Sequence, residues 1–248
     1  MSCYYTNALE GNITTAIEIE RALMSPPQTS TRRNLKELAK AHIDASLWAK
    51  EHPVRLGEAT HLESWVKEAH DRLYTSDLDE MCVPGKLRDY EVNVGRHIGV
   101  HSTTVPAFVG KLAEEYEIGP EKPLSSLIDM LSLHHRLMWV HPFGDGNGRV
   151  GRLLLQSCLE QTIPGSSLWS ISRGYARENS GATYKAALSN ADMPRNGDYD
   201  GRGNLSNRQL AAFVDFSLNC ALDQVQFMRE TLELEGIHER ALMALSLV

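Results

Sequence analysis

Apolar residues recur at helical spacing along most of this chain. Arg32 to Lys50 carries Leu35, Leu38, Ala39, Ile43, Ala45 and Leu47 on such a pattern, which predicts a long amphipathic helix. Leu56 to Tyr74 predicts another, with Leu62, Trp65, Val66, Ala69 and Leu73 as its buried stripe. Val105 to Glu117 and Leu124 to Val140 continue the pattern; the second has Leu124, Leu127, Ile128, Leu131 and Leu137 on its apolar face. Arg149 to Gln161 holds Leu153, Leu154, Leu155 and Leu159, too apolar for a surface helix, so it is predicted to be the central buried one. Ser180 to Asn190 and a long region from Asn204 to Leu234, starting after the capping residue Ser206, complete the predicted helices.

Breaks in the pattern divide these segments. Thr6 to Asn12 reads as a short helical turn stopped by Gly11 and Asn12, and Thr14 to Met24 as a helix ended by Pro26-Pro27. The clearest alternation lies in Pro84 to Gly95, so Leu87 to Pro106 is expected to be an irregular arm with a β-hairpin, the only strand structure anticipated. Asn196 to Gly203 is glycine-rich and reads as a loop. Ala241 to Val248 stays apolar to the last residue, which reads as an interface with another chain or as the end of a trimmed one. No repeat interrupts the order. The fold class is mostly α, one domain around a buried central helix, with a small hairpin.

Composition narrows the partners. The 248 residues are 42% hydrophobic and 23% charged, ordinary for a globular chain with a full core. A net charge of -7 gives no support for general nucleic-acid affinity, so clustered arginines are better matched to a small anion. Cys3, Cys82, Cys158 and Cys220 lie far apart and form no CxxC pair, which points away from zinc and disulfides and towards a reducing, cytoplasmic setting. Neither a signal-peptide pattern nor an apolar run of about 20 residues is present, so no membrane partner is expected.

The chemistry concentrates in His141-Pro-Phe-Gly-Asp-Gly-Asn-Gly-Arg-Val-Gly-Arg152. Glycines at Gly146 and Gly148 around Asn147 let backbone N–H groups converge at the start of a helix, where the helix dipole also favours phosphate. Arg149 and Arg152 are three apart and are expected to project from nearly one face, which suits a di- or triphosphate. Asp145 beside such an anion calls for a divalent cation, with Mg2+ the expected one. His141 titrates near neutrality and can take a proton from an incoming hydroxyl. Each part alone is commonplace: a Gly-Asn-Gly is usually a turn, and a lone histidine is usually structural. Their coincidence in one segment is what a turn alone leaves unexplained.

This segment resembles the signature of the Fic family, His-Pro-Phe-x-(Asp/Glu)-Gly-Asn-Gly-Arg-x-x-Arg, and every fixed position matches. The arm from Arg88 to Pro106 resembles that family's target-positioning flap, and Ser172 to Leu188 its later Asn…Tyr…Leu segment. The resemblance implies a Fic-type helical bundle and transfer of AMP from ATP to a Ser, Thr or Tyr hydroxyl of a target protein. It implies His141 as base, Asp145 as holder of Mg2+, and Gly146, Asn147, Gly148, Arg149, Gly151 and Arg152 as the nucleotide site. It places Tyr184 near the adenosine, although the family's frequent paired tyrosines are here Tyr184 followed by Lys185. The target would dock on the flap by main-chain pairing.

Thr6-Asn-Ala-Leu-Glu10-Gly is similar to the family's inhibitory pattern (Ser/Thr)-x-x-x-Glu-(Gly/Asn). On that resemblance Thr6 and Glu10 belong to a brake in which Glu10 takes Arg152 from the γ-phosphate. The chain then divides into an inhibitory region at 1–28, a catalytic domain at 29–203 and a C-terminal helical extension at 204–248. Other readings stay open: removal of AMP, transfer of a phosphate, UMP or phosphocholine, or an ATP sensor with little turnover. A homo-oligomer is among the expected assemblies, and DNA only if a further C-terminal module follows.

Overall fold

A computed structural model describes residues 2–11, 30–74, 82–95, 97–163, 165–177, 181–201, 203–233 and 236 of the chain. The helix expected at 14–24 and the apolar tail at 241–248 lie outside the described residues. Helices α1 (Ser2–Leu9), α2 (Ser30–Glu51), α3 (Ala59–Leu73), α4 (Val105–Glu115), α5 (Pro123–Val140), α6 (Asn147–Thr162), α7 (Ile171–Arg177), α8 (Ala182–Ala191) and α9 (Asn207–Leu232) build the fold. A hairpin of β1 (Asn93–Val94) and β2 (His97–Ile98) projects between α3 and α4. No described helix is long and apolar enough to cross a membrane.

The expected centre is the observed one. Helix α6 buries Val150, Gly151, Leu153, Leu154, Leu155, Cys158 and Leu159, together with Arg149 and Arg152, so its burial runs around the whole circumference. It packs on α5, α3, α2 and α1. It starts at Asn147, two residues before the predicted Arg149, because Gly146 turns left-handed (φ 81°) and launches the first turn early. Helix α5 starts on Pro123 at its first turn, where a missing N–H costs nothing, and α9 starts after Ser206, whose hydroxyl accepts the Gln209 N–H at 3.1 Å.

Three expectations differ from the fold. Helix α1 begins at Ser2 rather than Thr6, because Cys3, Thr6, Asn7 and Leu9 share the face that is buried against α7 and α2. Helix α7 was not anticipated, since SRGYARE lacks an apolar period; Ile171 and Tyr175 fix it in the core. The hairpin pairs only Asn93 with Ile98 and Val94 with His97, and a second antiparallel bridge joins Pro194 to Leu205, so the hairpin is not the only strand structure. The alternation at 87–92 forms no ladder, because that backbone is used to clasp the end of α5.

Leu9 anchors α1. It is 1% exposed, and a Cβ at Gly181 would come within 2.2 Å of its Cδ2, so Gly181 is the notch that admits it. Leu9→Ala is therefore expected to destabilise the docking of α1 by about 2–5 kcal/mol. Hydrogen exchange should quicken across residues 2–9 while α5 and α6 stay protected. Unchanged exchange in α1 would show that Leu9 is not its anchor.

Candidate functional site

Helix α5 delivers His141 at its C-terminus. Its carbonyl-rich end would normally leave unsatisfied acceptors, and a buried arginine from the arm meets them. Arg88, 4% exposed, donates from Nε to the His141 carbonyl at 2.7 Å and from Nη2 to those of Val100 at 2.5 Å and Val140 at 3.3 Å. Its Nη1 reaches the Tyr90 carbonyl at 2.8 Å, and its backbone N–H reaches Pro142 at 2.9 Å. One side chain thus ties both arms of the flap to the turn after α5. Among the described residues His141 alone combines a side chain with a positive φ, 52°. That left-handed turn is unfavourable for a residue with a Cβ, and Arg88 is what holds it.

The His141 ring lies with Nδ1 3.3 Å from the Met138 carbonyl. A carbonyl only accepts, so Nδ1 carries the hydrogen and Nε2 keeps its lone pair. Burial, helped by His97 and Arg88 and opposed by the Met138 hydrogen bond, lowers its pKa to about 4. At neutral pH the imidazole is neutral and able to accept a proton.

The loop between α5 and α6 is held from three sides. Asn147 accepts the Phe143 N–H at 2.9 Å and donates to the Phe143 carbonyl at 2.8 Å, so its side chain is spent on the loop itself and only its backbone serves the helix terminus. His70 accepts the Gly85 N–H on Nδ1 at 3.0 Å, which leaves Nε2–H to donate to the Asp145 carbonyl at 3.1 Å. Its ring stacks on Phe143 with centroids 4.0 Å apart, and burial lowers its pKa to about 4. Gly146 is required twice: its φ is left-handed, and a Cβ would come within 2.3 Å of the Tyr74 ring. The Asp145 carboxylate is exposed; its Oδ1 accepts the Gly146 N–H at 2.6 Å.

These groups face one cavity of about 670 Å3, walled by Glu10, His141, Asp145, Gly146, Asn147, Gly148, Arg152 and Tyr184 among the expected residues. Flap residues Val94, Gly95 and His97 close one side. Arg152 is 4% exposed, and its Nη2 donates to the Glu10 carboxylate and, at 3.4 Å, to the Thr6 carbonyl. Burial opposes the charge on Glu10, but Arg152, with Arg149 and Lys185 beyond it, outweighs burial and holds the carboxyl below its usual range. A Cβ at Gly148 would lie 2.2 Å from Glu10 Oε1, so the carboxylate sits directly on the helix terminus.

Three expected residues stand outside the cavity wall. Arg149 is 6% exposed with its guanidinium 4.5 Å from the Tyr74 ring centroid, a cation–π contact. Gly151 makes room for α5: a Cβ there would meet Met138 Sδ at 3.0 Å. Thr6 is buried and its hydroxyl donates to Ser172 Oγ at 3.0 Å, pinning α1 to α7. Tyr184 does reach the cavity, yet its phenol is turned inward. His134 donates from Nδ1 to the Gly151 carbonyl at 3.0 Å, so its Nε2 accepts the Tyr184 hydroxyl at 2.8 Å. Beside it Asp192 holds His135 at 3.0 Å and the flap's His97 at 3.3 Å, while His97 Nε2 reaches the Trp139 carbonyl at 2.7 Å. Arg88, His70 and the Asp192 group carry no motif. Their partners are mainly backbone carbonyls or distant side chains, so spacing gave no signal for them.

Removing the clasp should be costly. Arg88→Met keeps the length and loses every donor, orphaning buried carbonyls, and is expected to cost about 3–5 kcal/mol in urea denaturation. A loss under about 1 kcal/mol would contradict the clasp. Acid should also destabilise the fold through its buried neutral histidines. Burial lowers His42 and His134 to about 3 and His70 to about 4, below the ordinary 6.5. As pH falls below 6.5 the unfolded chain takes up protons that the folded one refuses, so stability present at neutral pH is lost progressively towards pH 3. The midpoint of thermal unfolding should fall across that window, and a flat profile would overturn the assignment.

Residues 60–159 match the model of the Fic/DOC family. Protein adenylyltransferase fic-1 of Caenorhabditis briggsae is 28% identical over 161 residues, covering 61% of this chain and 30% of the relative. Its Caenorhabditis elegans counterpart is 28% identical over 160 residues with the same coverage. The chain therefore spans about 30% of the length of these relatives. Among solved structures, a Fic family protein from Desulfovibrio desulfuricans superposes with a TM-score of 0.68 at 20% identity, covering 95% of this chain and 64% of that one. A Fic domain containing signaling protein from Bacteroides thetaiotaomicron gives 0.67 at 21% identity, with 92% and 84% covered. The mostly helical fold is shared with both. Residues 60–159 thus carry a match to the Fic/DOC family, within a fold shared with solved Fic structures.

Proposed function

We propose that this chain is a protein adenylyltransferase, moving AMP from ATP to a Ser, Thr or Tyr hydroxyl of a target protein, and that Glu10 restrains it. The observation that carries this reading is that one cavity brings together a neutral imidazole with a free lone pair, a glycine-flanked helix terminus and a buried arginine. The names of the curated relatives agree with it.

In the reaction the target hydroxyl gives its proton to His141 Nε2 as its oxygen forms a bond to the α-phosphorus. The bond from that phosphorus to the oxygen bridging to the β-phosphate breaks, and pyrophosphate leaves with the electron pair. The backbone of Gly146 to Gly148 and the Arg152 guanidinium hold the phosphates. Asp145 fits a magnesium ion shared with them: Oδ1 is used by Gly146, Oδ2 remains, and one carboxylate plus phosphate oxygens is an ordinary donor set. No cluster of three ligating side chains exists among the described residues, so the protein would not hold the ion alone. Such an ion would neutralise phosphate charge. Tyr184 offers the nucleoside its ring rather than its hydroxyl. An extended target segment would add to the hairpin, whose Val94 and Ile98 are exposed.

Glu10 restrains transfer because its carboxylate and a terminal phosphate require the same guanidinium and the same space over Gly148. That pairing also favours a second reading, an ATP-binding sensor with little turnover.

One set of assays separates the readings. Glu10→Gly should raise incorporation of label from α-labelled ATP about tenfold or more, in proportion to the loss of one charge-assisted pair. No label should come from the γ position; transfer of γ-label would mean phosphate transfer. In that background His141→Ala should lower transfer by about 10²–10⁴ and leave nucleotide binding intact. Nucleotide binding without incorporation in Glu10→Gly would establish the sensor. Because the base has a pKa of about 4, the rate should stay flat through neutral pH and fall only as pH approaches that value.

A further inference from the structure

Arg152 stands in the wall of a second cavity as well. This one, about 150 Å3, lies between α2 and α6, with His42, Ser46 and Lys50 on one side and Arg152, Gln156 and Ser157 on the other. A single water needs about 10–15 Å3, so there is room for several waters or one small ion, but not for a nucleotide.

Its polar inventory is unbalanced. His42 is 3% exposed and Arg152 4%, and neither His42 Nδ1 nor Arg152 Nε has a hydrogen-bond partner among the described residues. The other polar groups are occupied: Ser46 donates to the His42 carbonyl at 2.8 Å, and Ser157 accepts the Val54 N–H at 3.2 Å. Glu160, the one carboxylate in the wall among the described residues, accepts from Ser166 at 3.1 Å and from Gln156 at 3.5 Å. Lys50 is exposed and forms no ion pair among the described residues. Beyond burial, the charges of Arg152 and Arg149 hold His42 neutral, a field that attracts anions. Arg152 Nε–H is a buried donor without a partner among the described residues, and His42 Nδ1 joins it as a donor in its Nδ1–H tautomer; with a nearby ammonium and a positive field they call for an acceptor-rich negative group.

We propose that the α2–α6 cavity is a binding site for a small oxyanion of phosphate or carboxylate type, held by Arg152 Nε–H, His42 Nδ1–H and Lys50. The site is separate from the nucleotide cavity but shares its guanidinium with Glu10, so an anion there and the Glu10 carboxylate draw on one charge.

The test is a titration of the full chain with inorganic phosphate and, in parallel, with acetate, each against sodium chloride at matched ionic strength. The ring nitrogen shifts of His42 are followed by NMR. A saturable movement of His42 is expected with one or both oxyanions; the anion that moves it identifies the type. Lys50→Gln, an exposed change that leaves the core intact, should weaken that binding about fivefold. No movement beyond the chloride control means that the cavity holds water only, and the proposal fails. It fails equally if the movement saturates but is identical in Lys50→Gln, since the anion is then acting from the nucleotide cavity. The readout involves no transfer, so its outcome is independent of the proposed enzyme activity.

Discussion

A guanidinium buried in the central helix of a protein must have an anion. Arg152 is that group: helix α6 carries it into the core, where an uncompensated charge would cost several kcal/mol. Here Glu10 supplies the negative charge and the Thr6 carbonyl a further acceptor. Tyr184, held by His134, closes the remaining side. The arrangement stores a requirement rather than a fixed pair. Whatever anion best reaches Arg152 settles the state of the cavity, and on the proposed reading a phosphate and Glu10 are the two contenders.

The rest of the frame keeps the reacting groups in register with that charge. Arg88 fixes the turn after α5, His70 fixes the carbonyl of Asp145, and Asn147 closes the loop on Phe143. Each uses hydrogen bonds to backbone, which makes the loop rigid without using the side chains that face the cavity. Both imidazoles have their tautomers settled by one partner that can only donate or only accept, so His141 presents a lone pair and His70 an N–H. Placement of protons in this site is therefore a consequence of the main chain.

This division explains what was legible in the sequence. The central helix and the motif were readable because their information is local: an apolar run, glycines at fixed offsets, a histidine one loop away. Arg149 and Arg152 looked equivalent at a spacing of three. Tyr74, just past the end of α3, distinguishes them: Arg149 lies over its ring and outside the cavity wall that Arg152 joins. Arg88 was visible as a letter and not as a clasp, because carbonyl acceptors leave no trace in side-chain identity. Helix α7 was invisible because its seven residues owe their conformation to Tyr175 packing on Tyr184 at 4.2 Å, a tertiary contact. Glu10 was placed only through family resemblance; no rule of periodicity connects it to Arg152 across 142 residues.

The same geometry bears on how Glu10 would let go. Undocking α1 would expose Leu9, Cys3, Thr6 and Asn7 along with breaking the ion pair, and burying Leu9 alone is worth about 1.5–3 kcal/mol. Rotating Glu10 breaks only the pair, a hydrogen bond between charged groups worth about 1.5–3 kcal/mol. Glu10 lies just past the last helical residue, is followed by Gly11 at φ 83°, and keeps 31% of its side chain exposed. Water therefore already reaches the carboxylate, so rotation desolvates nothing new. A phosphate arriving at Arg152 would replace what the rotation gives up, whereas nothing in the cavity would replace a buried Leu9. On the proposed reading the cheaper path keeps α1 in place and moves one side chain, and the incoming nucleotide itself opposes the brake.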